Sequence, residues 1–305
     1  MNWLLFANMI ALLIFGVFAV YAACWMREET ALATKWKDQV YWILLGLVIF
    51  FATSLIDYKW IKYLGLPMYL AATGLLIFTT FKGTEINGTR AWLDVGPMLI
   101  QTSQLAIAGG LILLALVLCT LHRIHPVLRN PFMRLLISGI VVMIPFSFVL
   151  LQGDFGSALV WIPVAGAMVL IGNIPFRYLI VIILTVTMFL PFAFFFGLKD
   201  YQKKRITTQI EMLQGKKVNV LAEAYSAHNN LLAIGSGGWS GKGFKNPDTI
   251  NNKGFISPDT AINDFIFPVF SEEFGFRGSL LVIGGFMLLL LQLIYVGQGL
   301  YPFVF

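Results

Sequence analysis

Residues 257–300 read SPDTAINDFIFPVFSEEFGFRGSLLVIGGFMLLLLQLIYVGQGL. The second half, 276–300, is an apolar run of the length needed to cross a bilayer, because about 20 helical residues span the hydrocarbon core. The first half differs. Asp264 stands where polar sequence turns apolar, and Glu272 and Glu273 follow just before Gly275. Ionisable groups at or within a membrane are costly and usually mark a pathway or a site. Working outward, comparable apolar runs recur at 3–25, 40–56, 61–81, 99–121, 132–151, 155–171 and 177–198. The pattern predicts an all-α polytopic membrane protein of about eight transmembrane helices. It forms one membrane domain over 1–305, with a single large extracytoplasmic loop at about 199–275 between the seventh and eighth spans.

Composition points the same way. Of 305 residues, 58% are hydrophobic and 12% charged, and the mean hydropathy is +0.81. A soluble domain carries about 25% charged residues, so a soluble enzyme and a disordered regulator are both excluded. The net charge of +6 comes from 21 Lys and Arg. They are spread along loops rather than gathered in a stripe, so no nucleic-acid partner is expected. Cys24 and Cys119 each end an apolar run and read as small packing residues. Gln152-Gly153-Asp154 is a very short break that makes the fifth and sixth spans a tight helical hairpin. Charge bias barely orients the chain, but the basic segment HRIHPVLRNPFMR, 122–134, favours an inner fourth-to-fifth loop. The long loop then lies outside.

That loop contains AIGSGGWSGKGF, 233–244. It is not a Walker A loop, because Ser236 and Gly243 occupy positions that need Gly and Ser or Thr. Two readings stand: a flexible turn, or a nest of backbone amides around an anionic headgroup with Lys242 as a point charge. His122 and His125 mimic metal-ligand spacing but read better as an interfacial basic cluster. Among the acids Asp264 is the best placed. A carboxylate at the outer boundary, near glycine-rich backbone and basic side chains, suits chemistry on a lipid-borne phosphorylated substrate. It would take a proton from a hydroxyl nucleophile, while cations, backbone amides or a metal hold the leaving diphosphate.

These motifs, in this order, resemble the SEDS family (shape, elongation, division, sporulation), whose members include RodA and FtsW. GVFAVYAAC (16–24) resembles its first span, Gly88-Thr89-Arg90-Ala91-Trp92-Leu93 its GxRRW segment, and Gln152-Gly153-Asp154-Phe155-Gly156-Ser157 its QPDxGT. AIGSGGWSGKG resembles AIGSGGxxGKG, and Asn263-Asp264-Phe265-Ile266-Phe267 with Glu272-Glu273-Phe274-Gly275 resembles TDFIFxxxxEExG. Three departures accompany the match: Gln104 where the family has a carboxylate, Gly153 where it has proline, and about eight spans where it has ten; Ile262-Asn263, where it often has His-Thr, is a smaller one.

The resemblance, closest to RodA, implies a peptidoglycan glycosyltransferase of the bacterial cytoplasmic membrane. Such an enzyme polymerises lipid II in cell elongation or division and releases undecaprenyl diphosphate. It implies Asp264 as the catalytic base, with Arg90, Lys242, Asp154, Gly237, Gly238, Glu272 and Glu273 as substrate-binding residues. It also implies a divalent cation (Mg or Mn) and a class B penicillin-binding protein as transpeptidase partner within the elongation or division machinery. The family has ten spans and this sequence about eight, so the expectation is either part of a longer chain or an incomplete, inactive bundle. A lipid II flippase and a non-catalytic scaffold for the transpeptidase are the competing functions.

Overall fold

The computed structural model describes residues 2–24, 31–86, 89–96, 98–121, 125–172, 174–192, 200–214 and 225–304. Trp25, at the end of the first expected span, and His122 lie outside the described residues. The helices are α1 (Trp3–Cys24), α2 (Lys35–Ser54), α3 (Ile61–Lys82), α4 (Thr102–Leu116), α5 (Pro126–Arg129) and α6 (Pro131–Leu151). They continue as α7 (Phe155–Ile171), α8 (Phe176–Phe192), α9 (Asp200–Leu213), α10 (Tyr225–Ser236), α11 (Pro258–Ala261) and α12 (Ile266–Val304). Strands β1 (Thr84–Ile86), β2 (Thr89–Val95) and β3 (Met98–Gln101) lie between α3 and α4.

Among the described residues, α1, α3, α4 with its extension to Cys119, α6, and α12 as far as Gln298 are long and apolar enough to cross a membrane. The second, sixth and seventh expected spans fall on α2, α7 and α8. The polytopic helical architecture is therefore as expected.

Two boundaries differ from the sequence expectation. The fourth span starts at Thr102 rather than Leu99, because Leu99 and Ile100 are strand residues paired with Asp94 and Leu93. Gly96, at φ +65°, turns β2 back onto β3, and a left-handed residue of this kind stops a helix from running through. The region 199–275 is also far from structureless. It holds α9, α10, α11 and the first part of α12, which runs from Ile266 to the non-helical Gly275 ahead of the expected last span.

The chain divides into two compact units, Ser54–Gly197 and the pair Met1–Thr53 with Leu198–Phe305. In the first, α4 approaches α3 and α7 closely because glycines face large neighbours. A Cβ on Gly65 would stand 2.3 Å from Leu116, and one on Gly110 would stand 2.5 Å from the Trp161 ring. Small residues at helix crossings are how membrane helices gain dispersion contacts without a hydrophobic drive. Trp161, fully buried, lies at the centre of a cluster with Tyr69, Leu113, Leu114 and Val141. Gln152 closes the end of this bundle, donating to the Leu76 carbonyl at 3.2 Å and to Thr79 and Thr80 at 3.0 and 3.2 Å.

In the second unit α1 packs on α12. Phe15 meets Phe270 edge-on at 4.7 Å, and Asn8 donates to the Gly285 carbonyl and to Gln292, both at 3.2 Å. Asn251, 1% exposed, donates to the Ala23 carbonyl at 3.3 Å and so satisfies one of the last carbonyls of α1.

Trp161→Ala should lower the unfolding temperature in detergent sharply, since emptying a buried Trp site costs roughly 3–5 kcal/mol. Leu159→Ala, two residues away and 66% exposed, should leave it nearly unchanged.

Candidate functional site

Helix α12 is interrupted once. Gly275 has φ 65°, ψ −164°, outside helical geometry. At 1.5 Å per residue, 276–298 alone extends about 34 Å, enough for the hydrocarbon core. The preceding stretch, 266–274, is thus a separate shelf carrying Glu272 and Glu273, with Asp264 just before it.

A break in a helix frees backbone groups that need partners. Here the glycine-rich loop supplies them. Lys242 N donates to Glu272 O at 2.9 Å and Gly243 N to Glu273 O at 3.0 Å. In return Phe276 N donates to Gly238 O at 2.9 Å and Arg277 N to Trp239 O at 3.3 Å. Ser279 Oγ bonds the Gly275 carbonyl at 2.9 Å. Backbone-to-backbone packing this close admits no side chain. A Cβ on Gly237 would lie 2.2 Å from Ser271 O, and one on Gly241, at φ +81°, only 2.0 Å from Glu273 O.

Electrostatics completes the splice. The Glu272 side chain is 0% exposed and forms an ion pair with Lys242, whose own side chain is 26% exposed. The same carboxylate accepts from Ser236 Oγ at 3.1 Å and from Ile250 N at 3.0 and 2.9 Å. Glu273 is 1% exposed, and neither carboxyl oxygen has a hydrogen-bond partner among the described residues.

Asp264 is the opposite case. It is exposed, in a turn between α11 and α12, and its carboxylate takes part in no hydrogen bond or ion pair among the described residues. The backbone around it is held. Phe265 N donates to Thr260 O at 2.8 Å, Ala261 N to Ser257 O at 2.9 Å, and Asn263 Nδ2 to Asp259 O at 2.8 Å. Beneath the turn Ala261, Ile256, Val269 and Ala233 form a buried cluster. Six residues from Ile266 to Glu272 place the splice about 9 Å further along the helix.

The structure thus brings Gly237, Gly238, Lys242, Glu272 and Glu273 together around the α12 break, in the same unit as Asp264. Gly237, Lys242 and Glu272 are occupied there in holding the loop to the helix. Gly238, at φ +54°, has open space beside its Cα.

Arg90 and Asp154 belong to the other unit. Asp154 caps α7, accepting from Ser157 N at 3.1 Å, and binds Gln101 at 2.7 Å and Ser103 at 3.3 Å. It thereby ties the end of β3 and the start of α4 to the helical hairpin. Gln104, standing where the resembling family has an acid, donates to Ser157 Oγ at 3.4 Å. Arg90 pairs with Glu85 at 3.1 Å, both about half exposed, and its N–H donates to Gln152 O at 3.1 Å.

The sequence did not reveal the Lys242–Glu272 pair, or Ile250 as its third member. The available signal was two acids followed by glycine inside an apolar stretch, which marks a helix break that needs a filler.

Comparison with known proteins gives the family of the chain. The FtsW/RodA/SpoVE family, described as a cell cycle protein, matches residues 2–301. The chain belongs to that family. The peptidoglycan glycosyltransferase RodA of Treponema pallidum is 23% identical over 95% of this chain and 81% of its own length. Peptidoglycan glycosyltransferase MrdB of Escherichia coli K12 is 27% identical over 94% of this chain and 73% of its own. Across such curated relatives the chain spans between 60% and 81% of their length.

Two solved structures are similar. A chain from a study titled "Structural coordination of polymerization and crosslinking by a peptidoglycan synthase complex" aligns with TM-score 0.73 and 25% identity, over 96% of this chain and 76% of that one. RodA of Thermus thermophilus aligns with TM-score 0.61 at 24% identity, over 98% and 75%, and bears on the fold alone. The chain is a multi-pass membrane protein of the FtsW/RodA/SpoVE type.

Removing one member of a buried ion pair costs about 3–5 kcal/mol, because the other is left uncompensated. Lys242→Ala should therefore lower the unfolding temperature strongly. Adding Glu272→Gln, which removes the stranded charge, should restore part of the loss.

Proposed function

We propose that this chain is a peptidoglycan glycosyltransferase that polymerises lipid II in the bacterial cytoplasmic membrane, with Asp264 as its general base. One observation carries the assignment to Asp264. Its carboxylate is exposed and uncommitted among the described residues, while the backbone that bears it is fixed by hydrogen bonds and a buried cluster. A base must reach a substrate proton and must be held in place while doing so. Glu272 is committed to Lys242, and Asp154 to a helix cap.

In the proposed step Asp264 accepts the proton of the acceptor sugar's 4-hydroxyl. That oxygen bonds to the donor's anomeric carbon as the bond to the diphosphate breaks, with inversion, and undecaprenyl diphosphate departs. General-base assistance of this kind contributes typically about 10²–10⁴-fold.

The departing negative charge needs a cation, and the energetics separate the two candidates. The exposed Arg90–Glu85 pair holds only about 0–1 kcal/mol, so Arg90 can exchange its carboxylate for a phosphate at little cost. Lys242 would have to strand a buried Glu272, at about 3–5 kcal/mol. Lys242 therefore acts by holding the loop, and Arg90 is left as the diphosphate cation that the resemblance implies. The described residues contain no group of three or more His, Cys, Asp or Glu able to hold a metal. The divalent cation implied by the resemblance is therefore assigned no ligand, and no step runs through it. The similarity to a chain of a polymerising and crosslinking synthase complex supports a class B penicillin-binding protein as partner.

Asp264→Asn should abolish glycan-strand synthesis from lipid II in membranes that hold the protein and its transpeptidase partner, with the unfolding temperature unchanged. Undiminished polymer from that variant would remove Asp264 from the chemistry. Translocation of fluorescent lipid II into proteoliposomes without any polymer would favour a flippase. Arg90→Ala should raise KM for lipid II more than it lowers kcat, and should cost at most about 1 kcal/mol of stability.

A further inference from the structure

Glu273 is a buried acid that no part of the proposed chemistry uses. It is 1% exposed and stands in the shelf, ahead of the 276–298 span. Its main chain belongs to the splice, since Glu273 O accepts from Gly243 N at 3.0 Å. Its side chain does not. Neither carboxyl oxygen has a hydrogen-bond partner among the described residues.

Side chains three and four positions apart share a helix face, so Glu273 lies one turn beyond Phe270 and Val269. Val269 is buried with Ala23, Ala233, Ile256 and Ala261, and Phe270 with Ala19 and Val282. Glu272, a step of about 100° round the helix, instead meets Lys242, Ser236 and the Ile250 amide. The sequence sets one acid on a polar seam and the next on an apolar face.

The elements packed around the shelf bring Glu273 no cation among the described residues. Over 3–24, α1 carries only Tyr21 and Cys24 as titratable groups, and the Tyr21 hydroxyl accepts from Lys245. In the loop and the turn after it, Lys242 is paired with Glu272 and Lys253 with Asp248 at 3.1 Å. Helix α10 adds Tyr225 and His228, more than a turn before Ala233. Asp259 and Asp264, on α11 and the turn beyond it, are exposed, and Arg277 lies over the Trp239 ring. What acts on Glu273 is burial first and the negative charge of Glu272 second, and together they push its carboxyl up to about 8. An unpartnered carboxylate is among the costliest groups to bury, and neighbouring buried acids resist ionising together. Glu272, which has the lysine, keeps the charge. Glu273 keeps its proton.

We infer that Glu273 is a positioning residue, a neutral carboxylic acid whose proton lets the shelf close against α1 and α10 and so steadies the turn that carries Asp264. This role in the reaction holds only on the reading of Asp264 as the base. A charge on the apolar face needs water. Water reaches it by parting Gly243 from the Glu273 carbonyl or Val269 from its cluster, the two contacts that hold the shelf. The unfolded chain gives up this proton near 4.5 and the folded chain at about 8. Between those values the folded state holds one proton more. Its contribution to stability is therefore complete below the lower value, falls as pH rises, and is gone above the higher one.

Amide exchange of the full chain in lipid nanodiscs, corrected for the intrinsic pH dependence of exchange, reads this at Gly243 and Phe265. Between pH of about 6 and about 8 their protection should fall about tenfold per pH unit, one proton's worth. Protection at Leu111, in α4 of the other unit, should not follow. Glu273→Gln, which keeps the shape and removes the titration, should flatten the fall at both amides. In polymerisation assays with the transpeptidase partner, wild-type kcat should drop on the alkaline side with an apparent pKa of about 8, and Glu273→Gln should lack that drop. Wild-type protection independent of pH would overturn the inference without any variant. An unchanged slope in Glu273→Gln would do the same, as would an alkaline fall in kcat that the variant shares. The exchange can also be followed in Asp264→Asn. Polymerisation by Asp264→Asn with a pH-dependent seam would strike Asp264 as the base, whereas an inactive Asp264→Asn with a pH-independent seam would strike Glu273 alone.

Discussion

A helix that stops being helical next to a bilayer leaves carbonyl and amide groups which lipid cannot satisfy. In this protein the discontinuity at Gly275 is filled by the backbone of a glycine-rich loop, and most other features of its unit follow from that fit. The loop must approach to within van der Waals contact of another main chain, which dictates glycine at 237, 241 and 275. Hydrogen bonds run both ways across the seam. A buried carboxylate, Glu272, draws three segments to one point: the end of α10 through Ser236, the loop through Lys242, and the following turn through Ile250. Single hydrogen bonds of this kind contribute only about 0.5–1.5 kcal/mol each. Leaving any of these buried groups unmatched costs more, and that asymmetry makes the arrangement cooperative.

This framework explains how an exposed acid can be accurately placed. Asp264 sits between α11 and the shelf of α12, over a cluster of Ala233, Ile256, Ala261 and Val269. Two of those residues come from the shelf and from α10, the elements that the splice holds together. The carboxylate itself has no partner among the described residues. Rigidity in the support and freedom at the functional group are what a general base requires. Asp154 shows the reverse economy in the other unit, where it is consumed by a helix cap and by Gln101 and Ser103.

Much of this was legible in the residues. Long apolar runs gave the helical membrane architecture because length and hydropathy alone decide whether a segment can cross. Asp264 stood out because an acid at such a boundary is expensive. The strands over 84–101 were hidden, since Leu99 and Ile100 continue an apolar run that reads as helix unless Gly96 is recognised as a left-handed turn. The role of AIGSGGWSGKGF was also hidden. The alternatives read from composition, a flexible turn or an anion nest, both omitted a protein backbone as the group its amides would meet. Pairing Lys242 with Glu272, 30 residues apart, depends on tertiary closure that no local pattern encodes. Asn246 and Asn252 in KNPDTINNKG did carry a signal, because such side chains bond backbone in turns, and both do so here.

The dependence of the site on the filled helix break is tested most directly by amide hydrogen exchange on the protein in lipid nanodiscs, followed at Lys242, Gly243, Phe276 and Arg277. These four amides cross the seam in the structure. They should exchange as slowly as amides in the middle of α1, although two of them lie in a loop. Exchange at the rate of an open glycine-rich turn would show that the break is unfilled, and would contradict the account of how Asp264 is held.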